Sequence, residues 1–203
     1  MRGASIRPFL KWAGGKRQLL PHLRRFYPND FGCASAAGTT EAFCTGEMDT
    51  AAKITAKVTT GTTAAKSNDH APACASSTAP DVAFALNLPV PVATLQIDTI
   101  GSGFDTILLV KNLDCQGAVL GCDDEGGGSN NSSKIVMNGV APGGYTVIVD
   151  GWLSNSGTFT LNVFGTVAPG TRCDSPLFSG GTAAVLSCPN GTTCTGNPVP
   201  KCM

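Results

Sequence analysis

Apolar and polar positions along the middle of the chain repeat with a period of two, not the 3.6 of a helix. Val82, Phe84, Leu86 and Leu88 alternate with small or polar neighbours, and Ala93, Leu95 and Ile97 carry the rhythm on. Ile107-Leu108-Leu109-Val110 is an unbroken apolar run suited to a central strand. Tyr145, Val147 and Val149 share one face opposite Thr146 and Asp150; Phe159, Leu161 and Val163 do the same opposite Thr158, Thr160 and Asn162. Turn formers stand between these runs at Gly101-Ser102-Gly103, Asp123-Asp124-Glu125-Gly126-Gly127-Gly128, Pro142-Gly143-Gly144 and Ser154-Asn155-Ser156-Gly157. Short alternating strands spaced by such turns predict an all-β, antiparallel sandwich or barrel.

Outside residues 81–166 the pattern changes. Residues 1–28 are basic, and Leu19, Leu20 and Leu23 predict a helix over 16–26, with Pro21 inside it. Residues 29–80 are an Ala/Thr/Ser/Gly-rich lead-in where only 53–59 reads as a strand. Residues 167–203 form a Pro- and Gly-rich tail with four cysteines, too poor in apolar side chains to build a core alone. The domain reading is therefore 1–28, 29–80, 81–166 and 167–203.

Charge and cysteine usage separate the same parts. The net charge of the 203 residues is zero, yet the first 30 hold seven Lys/Arg and one acid, leaving the rest with seven basic and thirteen acidic residues. All nine cysteines follow residue 30, and only two histidines accompany them, without paired CxxC spacing. That argues for disulfides and an oxidising compartment over a zinc site. A local Cys115–Cys122 bridge is the best single pairing, and Cys173, Cys188, Cys194 and Cys202 are expected to pair among themselves in one of three ways. Cys44 is then assigned to Cys74, with Cys33 left over. The opening stretch is interrupted by charge every few residues, so no secretory apolar region stands there. No apolar run is long enough for a membrane span.

Two resemblances fall on two parts of the chain. The first rests on Ala79-Pro80-Asp81-Val82-Ala83-Phe84, Gly103-Phe104-Asp105-Thr106-Ile107-Leu108, Cys122-Asp123-Asp124-Glu125-Gly126, Ala141-Pro142-Gly143-Gly144-Tyr145-Thr146-Val147, and Ser156-Gly157-Thr158-Phe159. In that order they make residues 81–166 resemble the bacterial pre-peptidase C-terminal (PPC) domain family. The resemblance implies a jelly-roll-like β-sandwich, non-catalytic, accessory to secreted or surface proteins, with calcium bound in some members. The second rests on Arg7-Pro8-Phe9-Leu10-Lys11-Trp12-Ala13-Gly14-Gly15-Lys16-Arg17, which resembles the opening of Dam-type adenine-N6 DNA methyltransferases. There Trp12, Gly14 and Lys16 would help cradle S-adenosylmethionine. The catalytic Asp-Pro-Pro-Tyr motif of that family is absent from the sequence, so these residues are vestigial and an active methylase is excluded. Both likenesses in one chain imply a chimera joined near Tyr27-Pro28.

Candidate chemistry is sparse. Asp105, Asp123, Asp124 and Glu125, with Asp150 as a further oxygen donor, could hold calcium, which takes six to eight oxygens. The competing reading is a solvated acidic turn with Asp105 bonded to its own backbone. His70 is expected on the surface, not as a catalytic base. The basic N-terminus could touch nucleic acid electrostatically, but no nucleic-acid partner is assigned. The sequence thus reads as a non-enzymatic extracellular or cell-surface module with an accessory, adhesion or assembly role. Its partners would be itself or an extracellular polymer, and no cofactor is assigned beyond calcium. The alternatives are an inactive chain carrying a methyltransferase label and a calcium-dependent glycan-binding module.

Overall fold

Residues 82–166 form seven strands of a two-layered sandwich, in a computed structural model that describes residues 52–112, 117–128 and 131–203. In chain order these are β3 (Val82–Leu88), β4 (Val92–Asp98), β5 (Thr106–Asn112), β6 (Val119–Asp123), β7 (Lys134–Val140), β8 (Gly143–Gly151) and β9 (Thr158–Thr166). Two strands precede them, β1 (Ala52–Lys53) and β2 (Val58–Thr62), and three two-residue strands follow: β10 (Leu186–Ser187), β11 (Cys194–Thr195) and β12 (Lys201–Cys202). The first sheet runs β1-β3-β8-β5-β6, and the second β10-β9-β4-β7 with β2 also paired to β9. β3, β8, β5 and β6 are mutually antiparallel, as are β9, β4 and β7. The fold is the expected all-β, jelly-roll-like sandwich.

Between the sheets lies one apolar core. Phe84, Leu86, Leu108, Val110, Val147 and Val149 face inward from the first sheet. Leu95, Ile97, Ile135, Phe159, Leu161 and Val163 answer from the second, and Phe84 meets Phe159 edge-to-face at 5.8 Å. The apolar run in β5 has the reason the sequence suggested. Its strand lies inside the sheet between β8 and β6, and Ile107 and Leu109 are as fully buried as Leu108 and Val110. Their outward side forms a second, smaller cluster with Ala83 and Ile148, covered by Ala75 and Cys122.

Two strands that alternation did not announce are β6 and β7. Each is an edge strand with exposed apolar side chains, Val119 and Leu120 on one and Val136 on the other, so neither shows a clean inside-outside pattern. The single strand predicted over 53–59 is broken in two. β1 pairs parallel with β3 of the first sheet, the chain crosses over at 54–57 with Ile54 buried, and β2 pairs with β9 of the second. One straight strand cannot serve both sheets.

The tail contributes to the sandwich core instead of forming its own: Val167, Cys173, Leu177, Val185, Leu186 and Cys202 belong to the main cluster. It is crosslinked by Cys173–Cys194 and Cys188–Cys202. The third bridge, Cys74–Cys122, corrects two expected pairings, Cys115–Cys122 and Cys44–Cys74. The physical reason is that residues around Cys74 lie across the outer face of the first sheet, which sets Cys74 beside β6 with Cα atoms 5.7 Å apart. Cys33, Cys44, Cys115, the helix expected over 16–26 and the methylase-like Trp12, Gly14 and Lys16 lie outside the described residues.

Candidate functional site

At one end of the sandwich, the loops leaving β4, β6 and β8 converge. Thr106 N–H donates to the Asn131 carbonyl, Trp152 N–H to that of Asp105, and Gly103 N–H to that of Thr158. Beneath them Thr99, Thr106 and Ser133 are fully buried and linked hydroxyl to hydroxyl, so the loop bases are fastened by satisfied polar groups. Gly151 makes the close turn possible. A Cβ there would stand 1.8 Å from the Asn155 carbonyl oxygen.

The four sequence-nominated acids do different things at this end. Asp123 is occupied structurally, since its Oδ2 accepts from Gly126 N–H and Lys134 N–H at 2.7 Å each. It closes the turn, and Gly126 is required because any Cβ would meet both carboxylate oxygens at 2.7 Å. Asp105 accepts from the Asn131 side-chain amide at 3.1 Å, not from its own backbone. Asp105 Oδ1 and Asp124 Oδ1 are both buried without a hydrogen-bond partner. Burial pushes the Asp124 carboxyl above its ordinary value, and the charges of Asp105, Glu125 and Asp123 push it the same way. Glu125 is exposed. Among the described residues no three of these carboxylates bring oxygens within 4.8 Å of one another; the one group that converges so closely is Cys173, Cys188 and Cys202, whose sulfurs are in disulfides.

Asp105 and Asn131 also line a shallow cleft of about 400 Å³ with Ser102, Gly103 and Phe104. Beside it stand two side chains that the sequence reading passed over. Trp152 is 40% exposed and Leu153 47%, and Leu153 holds a left-handed backbone with φ of 53°. For a branched residue that conformation is strained, and it persists because Leu153 N–H donates to Ser76 and its carbonyl accepts from Thr78. The signal in the sequence is a bulky apolar pair placed directly after Gly151, where a turn would carry polar residues.

Asp150 does not join the loop acids. Its Oδ1 accepts from Ser77 Oγ at 2.8 Å and from Gly151 N–H at 2.6 Å, its Oδ2 has no partner, and the charges acting on it are Asp81 and His70. Alternation places it on the outer face of β8 with Ile148, where the sequence predicts a polar, solvated side; instead it is completely buried. Asp81 lies nearby at 3% exposure, accepting from the N–H groups of Asp69 and His70 at 2.7 and 2.9 Å. His70 is likewise buried, 4% exposed, with Nε2 3.8 Å from Asp81 Oδ1. This corrects the expectation of a surface histidine. The cause is the same segment, residues 67–81, that carries Cys74 to β6.

No protein-family model matches the chain, and no curated protein matches it. Among solved structures, the pre-peptidase C-terminal domain of collagenase from Bacillus anthracis is similar, with 15% identity and a TM-score of 0.39 over 56% of this chain and 93% of that one. A likeness this distant decides neither family nor function.

Proposed function

We propose that this chain is a non-catalytic extracellular module, a disulfide-fastened β-sandwich that serves as an accessory or adhesion domain. The observation that carries the proposal is the placement of the three disulfides among the described residues, one holding the cover of the first sheet and two knitting a tail with little regular structure of its own. Such a framework has its stabilising effect where thiols stay oxidised, which points to export. The first test is the intact mass of the natively produced protein before and after reduction. A gain of two hydrogens for each of the three bridges is the expected result. Free thiols at all six of these cysteines in the native protein would overturn the extracellular reading.

A second reading is favoured by the loop end. An exposed Trp152 beside Asp105, Asn131 and the unpartnered oxygens of Asp105 and Asp124 offers an apolar ring for a sugar face, with acceptors for its hydroxyls. Calcium between Asp105 and Asp124 would answer those oxygens and bridge to a glycan. The test is a calcium titration of the melting temperature, followed by a glycan array with and without chelator. A ligand bound only by the folded state raises the melting temperature, so an unchanged value at millimolar calcium would remove calcium from the reading.

A further inference from the structure

The outer face of the first sheet is covered by a strap, residues 67–81, and what fastens it is unusual. Side-chain, covalent and backbone attachments hold it: Asp81 gathers the N–H groups of Asp69 and His70, Cys74 is bonded to Cys122 of β6, Ser77 Oγ donates to Asp150 of β8, and Ser76 and Thr78 exchange backbone bonds with Leu153. Two of these rest on carboxylates buried beyond nine-tenths, Asp81 and Asp150; each retains one oxygen without a hydrogen bond, that of Asp81 standing 3.8 Å from His70 Nε2. Beneath the strap lie Ala83, Ile107, Leu109 and Ile148, with Ala75 of the strap packed on them. We propose that the strap is a proton-operated clasp, closed over this apolar face in acid and opened segmentally when the Asp81–Asp150 pair carries two charges.

The argument is one of solvation. A protonated carboxyl in this site costs little, whereas an ionised one places charge on a buried oxygen that accepts no hydrogen bond. The groups acting on the pair are Asp69 and His70 from the strap, Asp81 at the entry to β3 and Asp150 on β8; among the described residues no lysine or arginine acts on either. One imidazole against two buried carboxylates leaves the site short of positive charge. Burial accordingly raises both carboxyls, Asp150 to about 6. The least costly relief is to let water reach these oxygens by lifting the strap, since two of its fastenings run through these same side chains and the rest are the backbone pair with Leu153 and the disulfide. Cys74–Cys122 limits the excursion and keeps the strap tethered, so the opening is local and reversible.

The experiment is hydrogen exchange of the full, oxidised chain at pH 5 and pH 8, corrected for intrinsic exchange, reading the amides of Asp69, His70 and Thr78 against those of β4 and β9. Protection of the strap is expected to fall about tenfold between the two pH values, while β4 and β9 keep theirs. Asp150→Asn, which keeps the Ser77 bond but cannot ionise, should hold the strap shut at both. Equal protection at both pH values in the unsubstituted protein would overturn the proposal by itself, even if the variant failed to fold. A pH response that survives Asp150→Asn undiminished would overturn it as well. Reduction of Cys74–Cys122 should enlarge the opening without moving its pH midpoint, and a shifted midpoint would count against Asp150 as the operating group.

Discussion

The sandwich strands and the tail that follows them are held by different forces, although they share one core. Residues 82–166 place long, fully buried side chains on β3, β4, β5, β8 and β9, among them Leu86, Leu95, Leu108, Ile148 and Leu161. Residues 167–203 offer Leu177, Val185 and Leu186, two 3-10 turns (Pro176–Phe178 and Gly181–Ala183) and three two-residue strands. Ordering a residue costs about 1–2 kcal/mol of backbone entropy. The strands recover that cost by burial. The tail recovers only part of it, and its two crosslinks work from the other side by restricting the unfolded chain. Shared packing with separate means of support is the lesson of the comparison.

The sharpest way to break the comparison is to cut the sandwich at its centre. Leu108 is completely buried on β5 with strands on both sides. Leu108→Ala is expected to cost about 2–5 kcal/mol in urea unfolding, and because the tail docks on the same core it should come apart in the same transition. A separate, earlier tail transition in the unsubstituted protein would show that the two regions are less coupled than their shared cluster implies.

Next in size is the dependence on pH. Asp150 carries a folded-state pKa of about 6 against an ordinary value of 3.8, so the fold binds its proton more tightly than the unfolded chain does. The associated stability is fully present below pH 4 and is lost as pH rises to about 6, a decline of roughly 3 kcal/mol. Asp150→Asn should flatten that part of the stability profile and leave the protein more stable than its parent at pH 7. A profile that instead rises from pH 4 to pH 6 would show that carboxylates elsewhere dominate.

How much of this could be read from the sequence follows from the same contrast. Strands with one face on the core announce themselves by alternation, which is why β3, β4 and β9 are legible; β8 alternates too although the strap buries its other face, and the apolar run of β5 marks a strand covered on both faces. The edge strands β6 and β7 are not legible, because an edge leaves Val119, Leu120 and Val136 exposed and blurs the pattern. Disulfide pairing was legible only where the candidates were confined to the tail. Cys74 reaches Cys122 across 48 residues, and nothing local in the sequence reports a strap lying over a sheet. The same strap hides the buried roles of His70, Asp81 and Asp150. Polar residues on an outward face ordinarily mean solvent, and only the tertiary cover makes them a buried cluster.

A smaller effect tests the tail directly. Replacing Cys188 and Cys202 by serine opens a bridge between residues 14 apart, worth at most about 3 kcal/mol in the chain-entropy account. The loss should be concentrated in the tail. Limited proteolysis of the variant is expected to cut within 188–203 while the strands up to β9 stay intact. If the tail resisted protease as well as the sandwich does, packing alone would hold it, and the division of labour argued above would fail.

The smallest expected effect sharpens the comparison from within the sandwich. Tyr145 is buried on β8, and its hydroxyl donates to the Ala141 carbonyl at 2.7 Å, pinning the short connection where the chain passes from β7 in the second sheet to β8 in the first. Tyr145→Phe removes the hydroxyl but leaves the ring in the core. Ala141 is exposed, so its freed carbonyl can be hydrated instead of being stranded. The cost is therefore about 1 kcal/mol or less, a small fraction of the loss from Leu108→Ala. Chemical denaturation of both variants measures the ratio. If Tyr145→Phe matched Leu108→Ala, a polar fastener at the corner would be holding the sandwich as firmly as its apolar centre. In that case the sandwich would depend on discrete attachments much as the tail does.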